Sequence, residues 1–416
     1  MLYLRSAARC GREQFPVIAM GKKNLTLRYT LTQFTFWAAS TGAASFATTY
    51  LLGCGVPSGI IGVLLAAAGL LSCLTQPILA GIADKSKGFI VLKMMICMSF
   101  LCVLCFSVQL ISGIPVAVAG LFYMAGVWSS DAMIPFTNAL CISYTQAGFS
   151  INYGAARGFG AAASAISSLV LGFVIAQLGS TWMILLLVCF RLLSILVLLG
   201  YPKIEKTAVS DDTADHSCTI RLFFSRYRWY CVSLLGIAFL GMFLAMMENY
   251  LIAIMGALGG DSSHVGIALF ISSMVAAPTM FFFNKVRERI PDTSLLKIAA
   301  ISFLIRAVCL YFARDIHTIY LLQLLHITSY GFMHPTQVYY ANAKVAPEDM
   351  VKGQAFSTAA YALGCSAGNF AGGQLLSLGV EAILFAGIVM TLVGTIIIFT
   401  TVTKKDTMKV IPYEAN

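Results

Sequence analysis

Two ionisable side chains lie deep within neighbouring apolar stretches in the second half of the chain. Arg306 lies in the apolar run 295–312 and His326 in the run 319–340, and a short polar turn at 313–317 joins the runs. At about 1.5 Å per helical residue, Arg306 lies roughly 12 Å and His326 roughly 15 Å from that turn. Both therefore fall near the middle of a hydrocarbon layer about 30 Å thick. An arginine at that depth is costly unless it faces water or a partner, so we expect a functional role; a structural ion or hydrogen-bond partner is the alternative.

Asp131 and Glu248 are the only carboxylates that lie well inside apolar stretches. Apolar surroundings favour the protonated form of a carboxylate, whereas a nearby guanidinium favours the charged form. A carboxylate balanced between these forms can load and release a proton. We therefore predict proton exchange at Asp131, Glu248, Arg306 and His326. The alternative is that both carboxylates lie nearer a membrane surface, in contact with water.

Further polar and aromatic side chains are expected to face the same space and to bind a ligand. Asn138 follows Asp131 by seven residues, so the two share a helical face. In the run 319–340, His326, His334 and Gln337 fall on one broad helical face. The residues expected to bind the ligand are Arg157, Asn138, Asp131, Trp128, Glu248, Asn249 and Gln337.

The composition indicates a membrane protein in contact with a lipid bilayer. The chain has 416 residues, of which 59% are hydrophobic and 11% charged, and its mean hydropathy is +0.85. A soluble fold of this size does not have such a composition. The net charge of +10 comes from short basic clusters between apolar runs, which membrane topology explains better than nucleic-acid binding.

The cysteines and histidines do not indicate a metal site, a cofactor or an enzyme. Among the 12 cysteines, the one C-x-x-C pattern, Cys102 to Cys105, lies in an apolar run without a second pair. The cysteines are therefore interpreted as small core residues rather than a disulfide framework. The five histidines are scattered, and no nucleophile stands at catalytic spacing.

Twelve apolar segments have the length of a membrane-spanning helix. They lie at 27–53, 57–83, 89–111, 113–140, 154–178, 181–201, 229–256, 263–285, 293–313, 316–342, 352–377 and 379–402. The predicted fold is all-α, with twelve transmembrane helices.

The basic residues predict the orientation. Nearly all lysines and arginines lie in the N-terminal segment, in the loops that follow even-numbered spans, and in the tail, whereas the opposite side has Arg314 alone. We therefore expect both termini to be cytoplasmic and the protein to lie in the cell membrane. Segment 1–26 is basic and lacks the apolar core of a signal peptide, and Met20 is expected to be the biological start.

Arg191 lies in the middle of the sixth predicted span, without an acidic residue near it in sequence. It pairs with a carboxylate on another helix, or its long side chain extends toward the cytoplasm. The sequence leaves both alternatives open.

The chain divides into two similar halves. Segments 27–201 and 229–402 each contain six spans; 202–228 is a charged cytoplasmic loop and 403–416 a cytoplasmic tail. In the first half a proline and then a glycine- and alanine-rich helix occur at Pro135 and 154–178, and in the second half the same order recurs at Pro335 and 353–377. Parallel repeats of six helices are typical of transporters whose halves rock around a central site.

Several stretches resemble the major facilitator superfamily, and within it the branch of lactose permease and the phenylpropionate permeases. They are Gln76-Pro-Ile-Leu-Ala-Gly-Ile-Ala-Asp-Lys85, Tyr153-Gly-Ala-Ala-Arg-Gly-Phe-Gly160, the hairpin from Ile305 to His326, and Val351-Lys-Gly-Gln-Ala-Phe356. The resemblance implies that Asp84 and Lys85 form a cytoplasmic gate, although Ala80 replaces a glycine of that signature.

The resemblance also implies roles for three basic residues. Arg157 corresponds to the arginine of the fifth helix that grips the substrate, Arg306 to that of the ninth helix, and His326 to the histidine of the tenth. Two carboxylates of lactose permease do not carry over, since Asn138 and Ser329 stand near their places. The sugar recognition and proton route of lactose permease are therefore not implied.

The sequence predicts a secondary transporter that works by alternating access, expected to be a monomer and a proton symporter. Its substrate is expected to be a small organic solute: a sugar, a nucleoside, or an aromatic or other organic anion. The alternatives are an uncoupled facilitator or an antiporter of the same fold, and a membrane sensor that binds without transport.

Overall fold

The computed structural model describes residues 24–85, 90–204, 220–346 and 349–404. These residues form eighteen α-helices. The helices are α1 (Thr26–Ser45), α2 (Ala47–Gly53), α3 (Ser58–Lys85), α4 (Ile90–Val108), α5 (Val116–Ala132), α6 (Ile134–Gln146), α7 (Tyr153–Leu178), α8 (Ser180–Leu199), α9 (Ile220–Arg226), α10 (Arg228–Asn249), α11 (Leu251–Gly256), α12 (Ser262–Phe281), α13 (Phe283–Arg287), α14 (Asp292–Phe312), α15 (Ile316–Gln323), α16 (Tyr330–Lys344), α17 (Met350–Leu376) and α18 (Val380–Thr401).

The helices form twelve spans, which confirms the predicted fold. In order, the spans are α1 with α2, α3, α4, α5 with α6, α7, α8, α10 with α11, α12, α14, α15 with α16, α17, and α18. Among the described residues, eight spans are long and apolar enough to cross a membrane by themselves. The first, eighth, tenth and eleventh are interrupted, shorter in their apolar part, or rich in small and polar residues. Such residues suit helices that face protein or water instead of lipid.

The fourth span is longer than its predicted range of 113–140, because α6 continues to Gln146. The hydroxyl groups of Ser143 and Thr145 donate to carbonyl oxygens one turn earlier, at 2.8 and 2.9 Å, so these polar residues do not end the helix. The chain turns only at Gly148, where φ is +87°. A glycine adopts this backbone conformation at little cost.

The first, fourth, seventh and tenth spans are each divided into two helices. The breaks lie at Phe46, Met133 and Tyr250, and in the tenth span at a 3₁₀ turn formed by Leu324–His326. A break in the first of every three spans agrees with a bundle built from three-helix repeats.

The break in the fourth span has an identifiable cause. Pro135 has no backbone N–H, so the carbonyl of Asp131, four residues earlier, lacks its helical hydrogen-bond donor. The side-chain amide of Gln76 on α3 donates to this carbonyl instead, over 3.1 Å. The break therefore ties α5 to α3 at the level of Asp131.

Glycines on α17 allow it to pack closely on α10. A Cβ atom added at Gly364 would overlap the backbone of Ala238, and one at Gly368 would overlap the backbone of Met242. Backbone atoms cannot move aside as a flexible side chain can. The two helices can approach this closely only with glycine at both positions.

We expect Gly364→Ala to lower the melting temperature of the purified protein, because the added methyl group must push α10 and α17 apart. Overpacking of this kind costs about 1–3 kcal/mol. The control is Gly256→Ala, at the end of α11, where an added Cβ has no atom within 4 Å. Equal melting temperatures for the two variants would contradict the predicted close contact.

The two six-helix halves contact each other closely at one end of the bundle. We call the end that carries Thr26 and Lys404 the terminal end, and the opposite end the far end. At the far end, a Cβ at Gly62 on α3 would lie 2.9 Å from the Cα of Gly373 on α17. Likewise, a Cβ at Gly172 on α7 would lie 2.8 Å from the Cα of Gly266 on α12.

The halves are apart at the terminal end. There, a Cβ added at Gly158 on α7 would have no atom within 4 Å. A cleft of about 370 Å³ separates this part of α7 from α12, between Ala161 and Ala162 on one side and Met274 and Pro278 on the other. The structure is therefore closed at the far end and open at the terminal end.

Candidate functional site

Arg306 is buried in α14 within a polar cluster, with 2% of its surface exposed. Its Nη2 donates to Oε1 of Gln323 over 2.9 Å, and its Nη1 lies 3.4 Å from Nε2 of His326. The same Nε2 lies 3.1 Å from Oε1 of Glu248 on α10. The predicted hairpin thus brings Arg306 and His326 together, and the fold adds Glu248 and Gln323.

One nitrogen of His326 lies between the acid and the base of this cluster. With a hydrogen on Nε2, the ring donates to the carboxylate of Glu248. Without that hydrogen, Nε2 accepts from Arg306 instead. The side chain of Glu248 is 35% exposed, so its carboxylate is accessible to water. The geometry therefore connects Glu248, His326 and Arg306 through close polar contacts.

Arg191 forms a second buried arginine centre, in the N-terminal half. It is 1% exposed, and its Nη2 lies 3.1 Å from the Oγ of Ser40 and 2.6 Å from the Oγ of Ser130. It interacts electrostatically with Asp131, which follows Ser130 on α5. Arg191 therefore stays inside the bundle beside a carboxylate of another helix, and extension of its side chain to the cytoplasm is excluded.

Arg157, on α7, lies over the indole ring of Trp37, with its Cζ 4.3 Å from the ring centroid. The indole N–H donates to Oε1 of Gln33 over 2.8 Å, and Nε2 of Gln33 donates to the hydroxyl of Tyr29 over 2.7 Å. The Tyr29 hydroxyl donates in turn to the carbonyl of Thr137, over 3.0 Å. Side chains on one face of α1 thus fix the indole ring of Trp37, against which the guanidinium of Arg157 lies.

Aromatic rings of the C-terminal half face Arg157. Tyr330 and His334 on α16 are stacked with ring centroids 5.3 Å apart, and Tyr361 on α17 meets His334 edge-on at 6.3 Å. Arg157 interacts electrostatically with both Tyr330 and His334. His334 is exposed and interacts with Arg157 of the other half. It therefore faces a solvent-accessible cavity between the halves.

The break in the tenth span separates residues that a continuous helix would place on one face. His326 lies in the 3₁₀ turn and is buried, whereas His334 is exposed to the cavity. Gln337 is buried, and the hydroxyl of Ser357 on α17 lies 3.5 Å from its Oε1. The predicted common face of His326, His334 and Gln337 is therefore wrong, because α15 ends at Gln323 and α16 begins only at Tyr330.

The break in the fourth span likewise separates Asp131 from Asn138. Asp131 is half-buried near Arg191, whereas Asn138 is exposed toward the terminal end and accepts a hydrogen bond from the Tyr153 hydroxyl at 3.1 Å. Asp131 and Asn138 therefore do not share the helical face that was expected for them. Trp128 donates from its indole N–H to Thr75 on α3, over 3.2 Å.

Asn249 contacts α17, and the side chains of the expected gate lie outside the described part of the structure. Asn249 donates to the side chain of Asn369 on α17, and the hydroxyl of neighbouring Tyr250 donates to the Asn369 carbonyl at 2.7 Å. The backbone of Asp84 and Lys85 ends α3, but the side chains of both lie outside the described part of the structure. Their role as a gate stays a prediction.

Sequence reasoning missed Trp37, Gln33, Gln323 and Tyr330. The signal for the first two was present, since Gln33 and Trp37 stand four residues apart in an otherwise apolar helix and so share a face. Gln323 stands three residues before His326 and carried the same kind of signal.

Comparisons with known proteins agree with this architecture. The profile of the MFS_1 like family matches residues 26–386. No curated protein matches the sequence. A crystal structure of the nucleoside transporter NupG is similar, with a TM-score of 0.77 and 13% identity, over 91% of this chain and 98% of that chain. A bacterial homolog of the human lysosomal transporter Spinster, inward-facing and unoccupied, is also similar, with a TM-score of 0.65 and 12% identity over 90% of this chain and 96% of that one.

Proposed function

The chain belongs to the MFS_1 like family of major facilitator transporters, and we propose on this basis that it moves a small organic solute across the cell membrane by alternating access, in symport with protons. One observation carries the proposal. Arg157 and the exposed His334, one from each half, interact between halves that are closed at the far end and open at the terminal end. Such an arrangement is one of the two states that alternating access requires.

The distribution of basic residues supports a cytoplasmic terminal end. With both termini in the cytoplasm, the described conformation is inward-facing and would release solute into the cell.

Two arginine centres support proton coupling. Glu248 and Asp131 each interact electrostatically with a buried guanidinium, that of Arg306 and that of Arg191 respectively. A guanidinium stabilises the charged carboxylate, and solute binding or closure of the cavity can disturb that balance and change proton occupancy. The Glu248 cluster is the better supported, since His326 connects it directly to Arg306.

A carrier without proton coupling is the second candidate. It is favoured by Ser329, which stands where the resemblance would place the proton-carrying glutamate. The hydroxyl of Ser329 donates to the carbonyl of Leu325 over 2.8 Å and does not carry a titratable proton at physiological pH.

Proton symport is tested by following the external pH of lightly buffered, de-energised proteoliposomes while solutes are added one at a time. The panel contains sugars, nucleosides, since NupG is a nucleoside transporter, and aromatic acids. Alkalinisation on addition of one solute supports symport. Solute uptake without a pH change favours a facilitator or another coupling ion. No uptake of any solute, with protein shown to be inserted, contradicts transport of this panel.

We expect Glu248→Gln to abolish solute-driven alkalinisation but to retain exchange of labelled for unlabelled solute. The amide keeps the size and a hydrogen-bonding oxygen of the carboxylate but cannot take up a proton. Accumulation driven by a pH gradient should fall by about tenfold or more, whereas exchange needs no net proton movement. Glu381→Gln, at the start of α18, is the matched control. Preserved pH-driven accumulation in Glu248→Gln would move the proton site to Asp131.

A further inference from the structure

Arg157 differs from the other two arginines in the middle of the bundle because no carboxylate neutralises it. Arg191 has Asp131 beside it, and Arg306 reaches Glu248 through His326. Among the described residues, the titratable groups that interact with Arg157 are Tyr330 and His334, and neither carries a negative charge at neutral pH. Three guanidinium groups thus share two carboxylates, and the charge of Arg157 remains uncompensated.

Arg157 is nevertheless held in a defined place. Its guanidinium lies on the face of Trp37, and the indole N–H is fixed by its hydrogen bond to Gln33. A cation on an indole face is stabilised by the ring quadrupole while its N–H edges stay free. Within the described residues the guanidinium of Arg157 makes no hydrogen bond. Its donors are therefore available to a ligand in the cavity.

We propose that Arg157 on Trp37 is an anion-binding site and that the solute is a small organic anion with one carboxylate. The inference rests on the proposed transport function and specifies its substrate class. A carboxylate matches the planar guanidinium with two parallel hydrogen bonds. When the terminal end closes, water leaves the cavity, and an uncompensated guanidinium there would be costly. A neutral sugar or nucleoside would leave that cost in place, whereas a monoanion removes it.

The opposite wall limits where the rest of the solute lies. Tyr330 and His334 present a stacked pair of rings across the cavity from Arg157. The Tyr330 hydroxyl makes no hydrogen bond among the described residues, so it can serve a second polar group of the solute. The carboxylate therefore binds to the N-terminal half and the body of the solute to the C-terminal half. A solute that contacts both halves can promote closure around itself.

The test compares acids with their own amides, which differ in charge but hardly in shape. Proteoliposomes receive an equimolar mixture of nicotinate and nicotinamide, indole-3-acetate and indole-3-acetamide, lactate and lactamide, with uridine and lactose added. An inward pH gradient is imposed, and the solutes inside are measured by mass spectrometry. Protein-free liposomes give the passive entry of each weak acid, which is subtracted.

We expect at least one acid to accumulate about tenfold or more over its amide, since a lost charge-assisted contact corresponds to a factor of that order. Arg157→Gln should remove this preference. Trp37→Leu should raise the half-saturation concentration of the acid with little change in maximal rate, because the charge remains but its support is lost. Trp182→Leu, at the exposed start of α8, is the matched control and should behave as wild type.

The possible failures are distinguishable. If uridine, lactose or an amide accumulates at least as well as every acid, the anion site is overturned while transport stands. If an acid accumulates but Arg157→Gln keeps the same acid-to-amide ratio, the assignment to Arg157 is overturned. If nothing accumulates, the carboxylate inference fails for these acids, and solute exchange by the same vesicles then decides whether transport itself fails.

Discussion

Replacement of Arg306 by methionine should abolish uphill accumulation of solute while the protein remains folded and inserted. Methionine fills much of the same volume without the charge. Glu248 and His326 then lose the guanidinium that lies 3.4 Å from the imidazole, so the charge on which the proposed proton coupling depends is removed. Breaking a buried charge pair costs about 3–5 kcal/mol, which corresponds to a decrease of roughly a hundredfold or more in the rate of accumulation.

The measurement is accumulation of labelled solute in proteoliposomes under an imposed pH gradient. Arg287→Met provides a control, because Arg287 is an exposed arginine paired with Asp292 at the terminal end, 2.8 Å from its carboxylate. Arg306→Lys should recover part of the activity, since the charge returns but the forked contact with Gln323 and His326 does not. Accumulation by Arg306→Met at the wild-type level would leave Arg306 a structural role only.

The fold could be predicted because its physical signals are local. Apolar runs of spanning length identify the helices, and the breaks that proline causes can be anticipated, as at Pro135. The breaks at Phe46 and Tyr250 could not, since neither has a proline or glycine beside it and both follow from packing in the assembled bundle. The two errors of common face, at Asn138 and Gln337, arose from assuming continuous helices across such breaks.

The candidate site could be predicted only where its parts lie in one hairpin. Arg306 and His326 lie at similar depth on consecutive antiparallel helices, so their meeting follows from distance along the chain. The contact of His326 with Glu248 joins the seventh and tenth spans, and the neighbours of each helix in the bundle are not written in the pattern of apolar residues. Trp37 was missed because a tryptophan in an apolar run is usually part of the core.

The two neutralised arginines follow the three-helix repeat. The second repeat consists of the fourth to sixth spans. Arg191 lies on its third span and interacts with Asp131 on its first. The third repeat consists of the seventh to ninth spans. Arg306 lies on its third span, and Glu248, which Arg306 reaches through His326, lies on its first. Each half therefore contains one buried arginine that interacts electrostatically with a carboxylate of the same half. Arg157, on the middle helix of a repeat, has no such partner, which is why its charge is available for a ligand.

Enlarging the glycines at the far end should shift the protein toward a conformation that is open there. In Gly172→Ala the new methyl group would lie 2.6 Å from the carbonyl oxygen of Ser262, and in Gly62→Ala it would lie 2.8 Å from that of Asn369. Both obstacles are backbone atoms of the other half, so the halves must separate to accommodate the methyl groups. A penalty of about 1–3 kcal/mol on the closed far end would change the ratio of the two conformations by roughly 5–150-fold.

Hydrogen–deuterium exchange can detect this shift, with both substitutions combined in one variant. Peptides from the start of α3 and the end of α17 should exchange faster than in wild type, and peptides from the start of α7 should exchange more slowly as the terminal end closes. Gly53→Ala is the control, because an added Cβ there has no atom within 4 Å. Faster exchange at both ends would indicate general destabilisation, whereas opposite changes at the two ends require that the halves rock about the cavity that contains Arg157.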